Sequence, residues 1–191
     1  MKVLIVSATE DELTIPVNHH LVSGIGMVST AISVTKALAC EHYDLVVNIG
    51  TAGSFTPTLK IGDIVEVHED FLSELGAQDG HRFITPNDMG LHIENEVSMP
   101  PQTQYLKVRG ITVNTVHGDD LSIVKIVNRL QPQVESMEGA ACMMACRVFN
   151  VPCIQLRAIS NYVEKRNKSN WNIPLAVQRL NTALETFLLT I

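Results

Sequence analysis

The sequence predicts an α/β fold. Three observations carry that expectation: apolar runs of strand length recur along the chain, stretches of helical length separate them, and several runs end in glycine-containing turns.

Val3–Ser7 reads as a buried strand because its apolar residues run on without polar alternation. His20–Val22 is a second strand candidate, and the His19-His20 pair reads as its start. Ser23-Gly24-Ile25-Gly26 follows as a turn, and Met27–Ala39, small and apolar, has helix length. Leu45–Ile49 reads as a buried strand that ends in Gly50-Thr51-Ala52-Gly53, and Ile64–Val67 continues in β character. From about Leu75 to Pro101 the chain is polar and rich in Gly, Pro, Asn and His, which reads as loop or insertion. Ile111–Val116 alternates like a strand, Leu121–Leu130 is helical, and Gly139–Phe149 is a strong helix candidate. Cys153–Ile159 reads as a buried strand and Ile173–Leu189 as the terminal helix. No internal repeat, low-complexity tract or linker divides the chain, so one domain over residues 1–191 is expected.

Composition excludes several partners. The formal net charge of -6 disfavours a nucleic-acid backbone or an anionic membrane surface, because both require an excess of Lys and Arg. The opening Met1-Lys2-Val3-Leu4-Ile5-Val6-Ser7 is too short an apolar run for a secretory leader, and no stretch has the length to cross a bilayer. A cytoplasmic protein is expected. Of Cys40, Cys142, Cys146 and Cys153, Cys142 and Cys146 stand four apart in an Ala- and Met-rich helical run without a paired CxxC or a nearby His, so the four read as small apolar packing residues in a reducing compartment. No metal and no organic cofactor is expected, since no His/Cys cluster has ligand spacing.

Glycine turns at strand ends let backbone approach a ligand closely, and in α/β folds ligands gather there. The order of such segments is informative. Thr9-Glu10-Asp11-Glu12, Ser23-Gly24-Ile25-Gly26, Asn48-Ile49-Gly50-Thr51-Ala52-Gly53 with Lys60-Ile61-Gly62-Asp63-Ile64, Val134-Glu135-Ser136-Met137-Glu138-Gly139-Ala140, and Arg157-Ala158-Ile159-Ser160-Asn161 follow one another. In order and spacing they resemble the purine nucleoside phosphorylase and nucleosidase superfamily, in its methylthioadenosine/adenosylhomocysteine nucleosidase branch. Glu135–Ala141, Ser160-Asn161-Tyr162-Val163-Glu164 and the closing Arg166–Ala176 are most similar to the futalosine hydrolase family. The resemblance implies a nucleoside phosphorylase-like three-layer α/β/α sandwich with a central mixed sheet. It also implies a small-molecule purine nucleoside as substrate and a homo-oligomer.

Residue by residue, the resemblance gives Glu138 the ribose hydroxyls, with Met137 packed beside the sugar. A carboxylate suits that place, because the sugar becomes oxocarbenium-like as the glycosidic bond lengthens. At the start of an Ala-rich helix Glu138 is expected to stay ionised. Glu12 matches the general base that activates water, with Glu10 and Asp11 as close competitors. Thr51 and Arg157 are implied in positioning the water, and Gly53 and Ser160 in the substrate-binding turn.

Charge separates water from phosphate as nucleophile. No Arg precedes Arg82, and residues 1–80 hold only Lys2, Lys36 and Lys60, whereas Glu10, Asp11 and Glu12 stand together. Two like charges about 4 Å apart at an effective dielectric near 20 repel by roughly 4 kcal/mol. One charged hydrogen bond returns about 1.5–3 kcal/mol, and Arg157 offsets only part, so hydrolysis is favoured.

Asn161 bears on the base. Adenine-specific relatives carry Asp at the matching position, which can protonate N7; Asn cannot. Its NH2 can donate to N7 and O6 of a 6-oxopurine, although Asn can also bridge N6 and N7 of adenine. Hypoxanthine spreads its departing charge onto O6, which favours a 6-oxopurine. For futalosine, an inosine-like nucleoside with a ketone-linked carboxyphenyl group at its 5′ end, an apolar slot and a cation are needed. Phe71, Leu72, Phe83 and Tyr162 are slot candidates, Arg82, Lys165 and Arg166 are cation candidates, and Trp171 stands between core anchor and pocket wall.

Two departures from the family pattern stand out. Only ten residues separate Glu12 from Ser23, where nucleosidases carry an extra hairpin, and Leu121 falls where an aromatic often stacks on the base. The expectation is a futalosine hydrolase that releases hypoxanthine. The alternatives are an adenine nucleosidase, a purine nucleoside phosphorylase, and a non-catalytic nucleoside-binding protein on the same fold.

Overall fold

Apolar runs without alternation need partners on both faces, and the chain supplies them. The computed structural model describes residues 1–191. Strands β1 (Val3–Ser7), β2 (His20–Val22), β3 (Leu45–Ser54), β4 (Ile64–Leu72), β7 (Glu96–Ser98), β8 (Leu106–Thr112), β9 (Val134–Ser136) and β10 (Cys153–Tyr162) share one mixed sheet, and β5 (Ala77–Asp79) with β6 (Arg82–Ile84) makes a separate hairpin. Helices α1 (Met27–Cys40), α2 (Asp120–Leu130), α3 (Gly139–Val148) and α4 (Ile173–Leu188) cover it.

Alternate residues of β1, β3 and β10 enter different cores. Leu4, Val6, Val46 and Cys153 pack with α1 and α3 through Val34, Leu38, Cys142 and Met143. Ile5, Val47, Ile49, Ile154 and Leu156 pack with α4 through Ala176, Leu180, Leu184 and Phe187. Each fully buried aliphatic side chain contributes about 1.5–3 kcal/mol. The result is the expected three-layer α/β/α arrangement around a mixed sheet: β1 lies parallel to β2 and β3, β3 parallel to β10, and β4 antiparallel to β10.

The sheet also closes on itself. β3, β10, β4, β8 and β9 each pair with the next, and β9 returns to β3, leaving β1 and β2 as an extension from β3. Closure requires bent strands. Register shifts at Val67/Glu69 of β4 and Ile159/Asn161 of β10 supply bends, since an unpaired extra residue increases local twist.

Several boundaries differ from the sequence reading. β8 begins at Leu106 and ends at Thr112, not Val116, because Lys107 and Arg109 hide its apolar alternation and residues 113–116 leave the sheet. β3, β4 and β10 run beyond their apolar stretches, into the Gly turn, through Leu72 and through Tyr162 respectively. The polar segment 75–101 carries the β5–β6 hairpin and β7, which adds to β4. Helix starts follow local chemistry: Asp119 accepts from the Ser122 N–H at α2, and Asn172 accepts from the Leu175 N–H at α4, with Pro174 in the first turn. With the Glu12–Ser23 segment short, β2 is a three-residue edge strand paired to β1 alone.

Cys142, Cys146 and Cys153 bring their sulfurs within 4.8 Å of one another inside the α1/α3 core. Cys153 comes from β10, so this meeting was invisible in sequence spacing.

Candidate active site

The ends of β1, β3, β9 and β10 and the start of α3 surround a cavity of about 440 Å³, a size that suits a small molecule. Seven of the eight residues picked out in the sequence line it: Glu12, Thr51, Gly53, Met137, Glu138, Ser160 and Asn161.

Glu12 closes a short 3₁₀ turn over Glu10–Glu12. Its carboxylate accepts from the main-chain N–H groups of Ala8 (2.9 Å), Thr9 (3.2 Å) and Thr51 (3.4 Å). Glu10 and Asp11 are exposed; Asp11 also lines the cavity, but of the three neighbouring acids only the Glu12 carboxylate is held by main-chain N–H groups.

Glu138 caps α3 and reaches across to the first glycine turn, where its Oε1 accepts from the Gly26 N–H at 2.9 Å. Gly26 has φ +91°, a conformation that strains any side-chain-bearing residue. Burial pushes the Glu138 carboxyl above its ordinary range, and the Glu12 charge adds to this; the Arg157 charge and the Gly26 N–H pull it back. The helix start therefore does not dominate, because desolvation outweighs it.

Arg157 corrects the sequence reading. Its side chain is 1% exposed and does not reach the cavity. The guanidinium donates to Asn48 Oδ1 and the Leu156 carbonyl, and it pairs with no carboxylate within 4.0 Å. A β-carbon on Gly50 would lie 3.0 Å from Arg157 Nη1 and 3.1 Å from Glu12 Oε1. Glycine thus lets a buried cation stand directly behind Glu12, so it acts on the site by charge and not by contact.

The bulge in β10 aims both Ser160 and Asn161 into the cavity, although successive strand residues normally point to opposite faces. Ser160 Oγ donates to Asn161 Oδ1 at 2.8 Å, and Asn161 Nδ2 donates to the Tyr162 carbonyl at 3.0 Å. Gly53 allows this approach: a β-carbon there would sit 3.2 Å from Asn161 Nδ2 and 2.9 Å from Val163 Cγ2.

Beneath α3 lies a polar cluster that no sequence motif marks. Asp70, fully buried, accepts from the Thr112 hydroxyl at 3.0 Å and the Gln155 amide at 2.8 Å. Burial pushes its carboxyl up to about 7, against the pull of Thr112 and Arg157. Thr112 in turn accepts from the Ala140 N–H at 2.8 Å, tying the cluster to the helix that carries Glu138.

Sequence reasoning also missed His117 and Glu135, which line the cavity at 2.7 Å from each other. A His just past a strand-like run was the available signal for the first, and the Glu135–Glu138 motif for the second. Of the tail candidates, Tyr162, Trp171 and Arg166 line the cavity, with the Arg166 guanidinium 4.9 Å from the Trp171 ring centroid. Phe71, Leu72, Phe83, Arg82 and Lys165 do not line it. Phe71 and Phe83 instead lie under Arg109 and Arg129. Leu121 is 73% exposed on α2 and does not line it either. The one group of side chains placed to hold a metal ion, the three-cysteine cluster, lies in the core and does not line this cavity.

Comparison with known proteins agrees with this geometry. The model of the Phosphorylase superfamily matches residues 17–189. Futalosine hydrolase of Acidothermus cellulolyticus is 34% identical over 85% of this chain and 72% of that protein. A 5′-methylthioadenosine/S-adenosylhomocysteine nucleosidase of Marinomonas sp. is 31% identical over 86% of this chain and 76% of that protein. The structure of Helicobacter pylori futalosine hydrolase superposes with a TM-score of 0.84 at 17% identity, covering 100% of this chain and 98% of the other. The chain belongs to the phosphorylase superfamily and, within it, to the futalosine hydrolase family.

Proposed function

We propose that this protein hydrolyses the N-glycosidic bond of futalosine, releasing hypoxanthine and dehypoxanthinyl futalosine for menaquinone synthesis. The observation that carries this reading is one cavity lined by Glu12, Glu138 and Asn161, in which Arg166 is the sole Lys or Arg. Glu12 takes a proton from water as it attacks C1′, and its three N–H donors fix the carboxylate in place. Glu138 accepts from the ribose hydroxyls and stabilises the cationic sugar, with Met137 against its face. Asn161, with one N–H held by the Tyr162 carbonyl and its oxygen by Ser160, shares its other N–H between N7 and O6 of the purine. The chemical step asks the site for on the order of 8–23 kcal/mol, of which preorganised charge is the largest share.

A phosphate dianion is disfavoured by the same lining. Arg157 is buried and does not line the cavity, whereas Asp11, Glu12 and Glu138 stand on its wall. At the 5′ end, Tyr162, Trp171, Ile173 and Val177 offer an apolar slot, and Arg166 a cation for the carboxylate.

Residues 1–191 act as one nucleosidase-like domain in this reading, in the cytoplasm. Exposed Ile25, Val28 and Ile32 on and before α1, with Leu121 and Val124 on α2, support a homo-oligomer. No helix is long and apolar enough to cross a membrane.

The test is incubation of the protein with futalosine, inosine and methylthioadenosine separately, without phosphate. Hypoxanthine release, fastest from futalosine, is expected; preferential adenine release from methylthioadenosine would reject the substrate assignment.

A further inference from the structure

The proposed mechanism leaves one step without a donor. When C1′–N9 breaks, its electron pair enters the purine, and a proton at N7 makes the base a better leaving group. Asn161, the side chain assigned to N7, has no proton to give.

The sheet register puts another group beside it. Asn161 of β10 pairs with Gly53 of β3, and Gly53 pairs with Glu135 of β9. The three residues therefore stand side by side across adjacent strands, about 4.8 Å apart per strand. The vacancy at Gly53 is shared: a β-carbon there would lie 3.2 Å from Asn161 Nδ2 and 3.6 Å from Glu135 Cγ.

Glu135 in turn holds His117. It is 4% exposed, accepts the His117 main-chain N–H at 3.1 Å, and takes His117 Nδ1 at 2.7 Å. Phe55 packs edge-on to the imidazole at 6.0 Å. The ring is thus held by a buried carboxylate, its own backbone and an aromatic edge. Its Nε2 has no protein partner, and the residue lines the cavity. A carboxylate on one imidazole nitrogen fixes the tautomer and orients the other nitrogen for proton transfer.

We propose that His117, oriented by Glu135, is the general acid that protonates the departing purine. The assignment rests on the reading of the site as a purine nucleoside hydrolase. In its imidazolium form His117 donates the Nε2 proton to N7. The C1′–N9 pair moves into the base, the water oxygen bonds to C1′, and the water proton passes to Glu12. Solvent then returns a proton to His117 and takes one from Glu12, so charge and protons balance over the cycle. Glu135 touches no reacting atom and is a positioning residue.

The experiment compares wild type with His117→Ala and His117→Gln, using whichever purine nucleoside the wild type cleaves. Both variants are expected to lose kcat by about 100-fold or more, within the 10²–10⁴ range for general acid catalysis, with KM little changed. Added imidazole should restore part of the kcat of His117→Ala and leave His117→Gln unaffected. On 4-nitrophenyl riboside, whose leaving group needs no proton, any measurable wild-type rate should persist in both variants. Glu135→Gln should lose less, about 10-fold, with the same leaving-group pattern. A kcat within about 3-fold of wild type in a folded His117→Gln overturns the proposal. So does a His117→Ala loss that imidazole does not touch. If the wild type cleaves only methylthioadenosine, the substrate reading fails while the His117 test still runs on that nucleoside. Absence of any purine release by the wild type overturns both.

Discussion

Replacing Glu12 with Gln isolates the proton-accepting role from the structural one. The carboxylate takes three main-chain N–H groups, two on one oxygen (Ala8 at 2.9 Å, Thr9 at 3.2 Å) and one on the other (Thr51 at 3.4 Å). An amide can keep its oxygen toward Ala8 and Thr9, and its NH2 then faces the Thr51 N–H, so the longest bond gives way to a donor–donor contact. One hydrogen bond is worth about 1 kcal/mol, which for a chain of this size shifts Tm by about 2–4 °C. Gln cannot take the proton of water, so the loss in kcat is about 10²–10⁴-fold, or about 2.7–5.5 kcal/mol. Hypoxanthine release followed spectrophotometrically, alongside a thermal melt and binding of hypoxanthine, reads both quantities. The expected result is a folded protein that still binds the base but turns over at least about 100-fold slower. A kcat within about 3-fold of wild type would refute Glu12 as the base. A collapse of Tm accompanying the loss would show that its role is structural.

Three further outcomes follow from the surroundings of the cavity. Gly139→Ala places a β-carbon 1.9 Å from Gln155 Oε1 and 2.4 Å from Asp70 Oδ2, both buried and bonded to each other's residue, so it should destabilise by about 1–3 kcal/mol in a denaturant titration. Asp70, raised to about 7 by burial, contributes stability below its ordinary range near 3.8 and loses it as pH rises through about 7. Asp70→Asn should therefore flatten the fall in Tm between about pH 4 and pH 7; an unchanged slope would show that Asp70 is not its source. Arg166→Gln should raise KM for futalosine by about 10-fold or more while leaving inosine within about 2-fold, and an equal change for both would remove Arg166 from the tail subsite.

What could be read from the sequence was local. Val3–Ser7 and Leu45–Ile49 declared themselves because both faces of those strands are buried, one under α1 and α3 and the other under α4. The positions of Glu12, Glu138 and Asn161 followed from glycine turns in a recognisable order, and each lies where a strand or helix ends. The unread parts depend on register. Closure of the sheet through β10 and β3, and the bulge that aims Ser160 and Asn161 into one cavity, are pairings between segments about a hundred residues apart. The resemblance assigned Arg157 to the water, but sequence alone does not show which face of β10 its side chain takes. Its side chain instead alternates onto the α3 side with Gln155, under a glycine. His117 and Glu135 lie eighteen positions apart with a helix between them, so nothing in their spacing announced that they touch at 2.7 Å.

The identity of the nucleophile tests the account most directly, because the cavity wall carries carboxylates and keeps Arg157 out of reach. Futalosine is turned over in buffer containing saturating phosphate, and the sugar product is identified by mass. The account predicts the free dehypoxanthinyl sugar at a rate independent of phosphate. A sugar 1-phosphate, formed only when phosphate is present, would contradict it.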